Sequence, residues 1–263
     1  MGSFITLNAA DGFACPAYVA QPAGTPKGAI VVVQEIFGVN AHIRAVADGY
    51  AAAGYLAVAP ATFARIGKGE VQLGYNEADM NEGFGYKTAV EALPAPGVMA
   101  DLQAAVDHGA KASGGKVGIV GYCWGGLLTW RAACALHGLS AAVPYYGGGM
   151  TAPAEAARKP LVPVLAHFGD QDQWIPLDTV KAFEQGQPGV QVQVYAANHG
   201  TPPGRPARKP QPAQSDPPGG PEIGRGAAPA RAAAGVGHGG TPRCGRPRAP
   251  ARAAPCGRRH ASS

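Results

Sequence analysis

Aromatic side chains are missing from the last 63 residues of this 263-residue chain. All 7 Phe, 3 Trp and 9 Tyr precede residue 201, and the same stretch has only 2 Asp+Glu against 11 Lys+Arg. Pro (13), Gly (11), Arg (10) and Ala (13) make up 47 of its positions. Such a segment cannot bury enough apolar surface to offset the entropy of ordering, which excludes a second packed domain there. Residues 1–200 carry 11 Lys+Arg and 15 Asp+Glu, a net of −4, so the chain's +5 comes from the tail's +9. Cysteine is scarce: Cys15, Cys123, Cys134, Cys244 and Cys256 are an odd set at irregular spacing. That excludes a disulfide framework and points to a reducing, cytoplasmic setting. No run approaches the ~18 apolar residues of a membrane span, and "MGSFITLNAADG" has neither the basic region nor the apolar core of a signal peptide. His42, His108, His137 and His167 show no metal-ligand spacing, and no Gly-rich phosphate loop with its Lys follows a strand. No metal and no cofactor are expected.

Against these absences, residues 1–200 hold a regular alternation of elements. "GAIVVVQEIFG" (28–38), "YLAVAP" (55–60), "KVGIVGY" (116–122), "AAVPYYGGG" (141–149), "PLVPVLAHFGD" (160–170) and "VQVQVYA" (190–196) are β-branched or apolar runs, as expected of buried strands, and Phe4, Ile5 and Leu7 open a first one. Helical spacing fills 41–55, 99–112, 125–138 and 178–186, with Gly54 and Gly138 as stops. Strands alternating with helices predict an α/β fold, a mostly parallel sheet with helices on both faces, whose chemistry collects at the carboxyl ends of the strands. Residues 61–98 carry scattered Gly and Pro and read as an irregular excursion over the sheet.

The strongest local signal is "GYCWGG" (121–126), which follows a strand and opens a helix, the context of a nucleophile elbow. Cys123 takes the nucleophile position, and the partial positive charge of a helix N-terminus favours its thiolate. Flanking glycines suit a strained turn where a Cβ would meet backbone. "HFGDQDQWIP" supplies an acid beyond one strand and "YAANHG" a His beyond the next, in the order nucleophile, acid, base. His199 is placed to move a proton, and a carboxylate would fix its tautomer. Asp170 and Asp172 both fit the acid's place by spacing. Cys134 reads as core on the inner side of its helix.

These segments together, with "QEIFGVN" (34–40), "YYG" (145–147) and "GDQDQWIP" (169–176), resemble dienelactone hydrolase, an α/β-hydrolase with a Cys-His-Asp triad. The resemblance runs through residues 1–200. It implies Cys123 as nucleophile, Asp172 as the acid, His199 as base, and Glu35 as the glutamate that contacts the thiol. It also implies the backbone N–H groups of Ile36 and Trp124 as oxyanion-hole donors. A small lactone or ester is the implied substrate, with neither metal nor membrane as partner. The family binds its substrate carboxylate with arginines. Here "NEADMNEGFGYK" (76–87) has none: Asn81 occupies the place and Lys87 lies near, and Arg205 follows the histidine without matching register. Tyr145 and Tyr146 are further pocket candidates, although one of such a pair at a strand end is usually buried.

Residues 1–200 are therefore expected to form one catalytic domain without the family's C-terminal helix, and residues 201–263 a disordered tail. The tail's alphabet is what a G+C-rich gene yields out of frame, so a shifted reading frame is the favoured origin. A genuine basic arm, attracting nucleic acid only nonspecifically and in a salt-dependent way, is the alternative. Same-fold carboxylesterase activity, or a chain impaired by its tail, are the competing functions.

Overall fold

The computed structural model describes residues 2–200. The disorder, the shifted frame, the absent helix, and the cysteines and Arg205 assigned to residues 201–263 lie outside the described residues. Eight strands, β1 (Ser3–Asn8), β2 (Ala14–Ala20), β3 (Ala29–Val33), β4 (Leu56–Pro60), β5 (Val117–Tyr122), β6 (Leu139–Tyr145), β7 (Val164–Gly169) and β8 (Val190–Tyr195), form one sheet. Their order is β1-β2-β4-β3-β5-β6-β7-β8. From β4 to β8 the strands are parallel, and β2 and β1 are antiparallel additions at one edge.

Every residue of β4 is buried, and β3 is buried but for a half-covered Ile30. A parallel strand buried this way needs helices over both faces. Helix α1 (Ala41–Ala52) and helix α3 (Val98–Ser113) both pack on β3 and β4, α4 (Trp124–Ala135) packs on β5 and β6, a short α5 (Pro153–Ala156) follows β6, and α6 (Leu177–Gly186) packs on β8. Asn40 starts α1 by accepting from the Ile43 amide at 3.2 Å, and the helix turns Ile43, Ala47 and Ala51 inward. The α/β reading of the sequence holds, with a mostly parallel sheet.

Three departures have physical causes. The run at 28–38 leaves the sheet after Val33, and Gln34–Phe37 form the loop at the carboxyl end of the interior strand β3. Strand β2 contains Pro16, which reads against an interior strand, yet it pairs opposite Thr6 in a strand that lies between β1 and β4. The excursion at 61–98 contains a 15-residue helix, α2 (Glu77–Glu91). Its interior Gly83 and Gly85 each cost about 1 kcal/mol of helix propensity and hid it. Its start was marked all the same: Asn76 Oδ1 accepts from the Asp79 amide at 2.9 Å while Asp79 Oδ2 accepts from the Asn76 side-chain N–H at 2.8 Å, a reciprocal cap.

Candidate active site

The topology brings the chemistry-bearing loops together. From β3 the chain crosses to β4 on one side, and β5 lies on the other, so a crevice opens at the carboxyl ends of β3 and β5. Val33 pairs with Gly121 across these strands. Glu35 and Cys123, each two residues farther on, therefore emerge side by side. Tyr122 pairs with Tyr145 in turn, which brings Tyr146 beside Cys123, and Gly169 pairs with Tyr195, which sets the Asp172 and His199 loops next to one another.

Cys123 sits at φ 54°, ψ −119°, a conformation an L side chain adopts at a cost of about 1–3 kcal/mol. It is held there by backbone bonds: its amide donates to the Tyr145 carbonyl at 3.1 Å, and its own carbonyl accepts from Gly126 at 2.9 Å. A Cβ on Gly121 would fall on the Gly125 carbonyl and Thr129 Oγ1, and one on Gly126 would lie 2.5 Å from the Tyr145 carbonyl oxygen. The glycines of "GYCWGG" thus answer close approach on both sides of the turn.

The expected thiolate is corrected. Burial pushes the Cys123 thiol up to about 12, and the neighbouring Glu35 carboxylate pushes the same way. The Trp124 amide at the start of α4 and the Lys87 ammonium pull it down but do not win. Removing a thiolate from water costs more than one helix terminus returns. At rest Cys123 is a neutral thiol.

Asp172 is buried and accepts from the Trp174 amide at 2.8 Å and the Ile175 amide at 3.2 Å, both on Oδ1. Its Oδ2 lies 2.7 Å from His199 Nδ1. With Oδ1 occupied by two donors, Oδ2 accepts from Nδ1–H, which leaves Nε2 as the basic nitrogen of the neutral ring. Tyr146, itself at φ 37°, sets its ring edge-on against His199 with centroids 4.9 Å apart. Asp170 is exposed and has different work: its Oδ1 accepts from the Ala197 amide at 3.3 Å and pins the loop that carries His199. Spacing left the two aspartates equivalent, whereas burial and bonding separate them.

Glu35 is buried, and that burial raises its carboxyl above the usual range. The Tyr75 hydroxyl donates to its Oε2 at 3.1 Å and works the other way. Glu35, Ile36, Cys123, Trp124 and His199 line one cleft of about 240 Å³. One wall is a face of α2: Met80, Phe84 and Lys87, at helical spacing. Gly83 lets that helix approach, since a Cβ there would fall on the Ile36 carbonyl. Trp174 and Phe37 add further apolar surface.

Of the remaining candidates, Asn81, Tyr145 and Cys134 fall outside the cleft lining. Trp124 is buried, stacked on Phe63 with centroids 5.3 Å apart, and its indole N–H donates to Glu91 Oε1 at 2.7 Å. Asn81 is exposed on α2 and is not among the residues lining the cleft. Tyr145 is stacked between Tyr122 and His167, at 5.2 and 4.4 Å, and is likewise outside the lining. Cys134 is half-buried at the edge of the core rather than inside it. Among the described residues no group of three His, Cys, Asp or Glu side chains is arranged to hold a metal ion, and no helix is long and apolar enough to cross a membrane. The sequence reading missed Tyr75, Met80, Phe84 and Trp174 as neighbours of the site, whereas Tyr146, which it offered as a pocket residue, lies against His199. The first four sit in or beside segments that carry no strand signal, although the i, i+4, i+7 spacing of Met80, Phe84 and Lys87 was legible.

Residues 15–209 match the family model described as the dienelactone hydrolase family. A Methylorubrum extorquens protein provisionally named a carboxymethylenebutenolidase is 38% identical over 182 residues, 65% of this chain and 60% of its own length. A Pseudomonas putida carboxymethylenebutenolidase is 33% identical over 196 residues, 73% of this chain and 81% of that protein. A crystal structure of a Klebsiella pneumoniae protein, provisionally named a dienelactone hydrolase, superposes with a TM-score of 0.64 at 32% identity. It covers 76% of this chain and 87% of its own.

Proposed function

The chain belongs to the dienelactone hydrolase family, and from that premise we propose that it hydrolyses a small lactone or ester through an acyl-enzyme on Cys123. The observation that carries this reading is the 2.7 Å pairing of His199 with Asp172 beside a cleft that His199 and Cys123 both line. The neutral thiol must first lose its proton. Glu35 and His199 are the two acceptors at hand: Glu35, whose carboxyl burial raises above its usual range, takes the proton from the sulfur, and His199 Nε2 receives it in turn and becomes the imidazolium. Cys123 Sγ then attacks the carbonyl carbon, and its electron pair becomes the new S–C bond. The carbonyl oxygen takes the displaced pair, facing the amides of Ile36 and Trp124.

Collapse reforms the carbonyl and breaks the C–O bond. The departing oxygen receives a proton from His199 Nε2, while Asp172 steadies the imidazolium. In a lactone that oxygen stays tethered to the acyl group. Water, deprotonated by His199, attacks the thioester, and its collapse returns the thiol and the acid. Lys87 is the cation available to an anionic part of the substrate, and Asn81 and Tyr145 take no part in this scheme. The chemistry needs no metal or organic cofactor.

The test is turnover of a dienelactone and of an activated ester by wild type, Cys123→Ala and His199→Ala. Both variants are expected to lose about 10³-fold or more in kcat/KM. A mass increment equal to the acyl group should appear on the Cys123 peptide in His199→Ala, where deacylation stalls. Undiminished turnover by Cys123→Ala overturns the proposal.

A further inference from the structure

Six large apolar side chains are exposed among the described residues, and two of them, Phe84 at 37% and Trp174 at 58%, line the same cleft as Cys123 and His199. Their ring centroids lie 6.3 Å apart with the planes tilted by 47°. Exposed aromatic surface costs hydration, and two such rings in mutual contact at the opening of a reaction cleft form a patch that a ligand can cover.

Neither ring is loosely carried. Phe84 stands one turn beyond Met80 on α2, whose approach is fixed where Gly83 meets the Ile36 carbonyl. The Trp174 amide donates to Asp172 Oδ1, so its backbone is tied to the carboxylate that bonds His199. Met80 and Phe37 extend the apolar lining, and Phe37 is itself packed against Tyr75 at 4.6 Å.

We infer that Phe84 and Trp174 are specificity-determining residues that hold an uncharged aromatic ring on the alcohol side of the substrate. This rests on the hydrolytic reading above. The side follows from Trp174's anchor: His199 must reach the departing oxygen, and Trp174 shares the loop of the aspartate that orients it. A flat ring laid over the pair meets one face and one edge, the arrangements aromatic quadrupoles favour. An aliphatic ring of equal size gains only the area term.

The experiment compares benzyl acetate with cyclohexylmethyl acetate, whose leaving alcohols are similar in size and acidity. Wild type is expected to favour the benzyl ester about tenfold in kcat/KM, mainly through KM. Trp174→Leu and Phe84→Leu should each cut that ratio to about threefold or less. Placing the same rings on the acyl side, as ethyl phenylacetate and ethyl cyclohexylacetate, should give no such preference.

A binding readout separates this inference from the catalytic one. Trp130 is buried away from the cleft, whereas Trp124 and Trp174 both line it, so the share of a fluorescence change that Trp174→Leu removes reports on Trp174. Benzyl acetate should quench Cys123→Ala, and Trp174→Leu in that background should remove most of the quench. A wild-type ratio near one, a ratio unmoved in both leucine variants, or a preference on the acyl side overturns the aromatic subsite. Quenching with full turnover by Cys123→Ala instead overturns the acyl-enzyme and leaves the subsite standing.

Discussion

Cys123 sits between a helix terminus that would ionise it and a carboxylate that keeps it neutral. Burial decides the contest, and Glu35 adds to it, so the thiol titrates at about 12. The sign of one substitution follows. Glu35→Gln removes a negative charge beside the sulfur, which lowers the thiol's pKa, and a nearby charge shifts such values by one unit or more. Alkylation of Cys123 by iodoacetamide, followed on its own peptide by mass spectrometry, should rise up to about tenfold at any alkaline pH below that value. Ester turnover should fall in the same variant, because the thiol, still held neutral by burial, has lost a proton acceptor within the cleft. An unchanged alkylation profile sinks the assignment of Glu35 as the group that sets the thiol. This balance was not legible from the chain. "GYCWGG" declares a helix start, but burial and the neighbouring carboxylate come from strand pairing, with Val33 opposite Gly121.

Helix α2 carries the wall of the cleft, and its two interior glycines have opposite meanings. A Cβ on Gly85 would meet nothing within 4 Å, whereas one on Gly83 would fall on the Ile36 carbonyl. Alanine is the better helix former at both positions by about 1 kcal/mol. Gly85→Ala should therefore raise stability by about 0.5–1 kcal/mol in thermal or denaturant unfolding and leave turnover alone. Gly83→Ala must push the helix or the Ile36 loop, and since Ile36 is a proposed oxyanion donor, turnover should drop by about tenfold or more. Equal turnover in both variants would count against Ile36. The strands and the parallel sheet were readable because Val-rich runs have one stable use, burial on both faces. Helix α2 was not, because its Gly83 serves a contact with Ile36, far earlier in the chain, while its Asn76–Asp79 start was in plain sight. The two aspartates of "GDQDQWIP" were equivalent in spacing for a related reason: one is buried against His199 and the other pins the Ala197 loop, a distinction made by packing alone.

At the scale of the whole molecule, the cleft is supported by a tie on a different part of the sheet. Arg65, in the turn after β4, donates through Nε and Nη2 to both oxygens of Asp101 on α3 at 2.8 Å. Its Nη1 reaches Asp11 in the β1–β2 turn at 2.7 Å, and its guanidinium lies over the Phe13 ring at 4.6 Å. One side chain thus joins the antiparallel edge, the central strands and a covering helix, and none of these residues lines the cleft. Asp101 is fully buried, and burial raises its carboxyl despite Arg65. Arg65→Met leaves that carboxyl buried and unpaired, which costs about 3–5 kcal/mol at neutral pH and lowers Tm by roughly 10 °C. Without the guanidinium the folded pKa of Asp101 climbs farther above its unfolded value. A group raised in this way stabilises the fold below its unfolded pKa and loses that contribution as pH rises through the folded one. The Tm deficit of Arg65→Met should accordingly be largest near neutrality and shrink as pH falls into the carboxyl range, while kcat/KM per folded molecule stays put. A deficit that is constant with pH would mean that Arg65 stabilises through its packing on Phe13 rather than through the buried carboxylate.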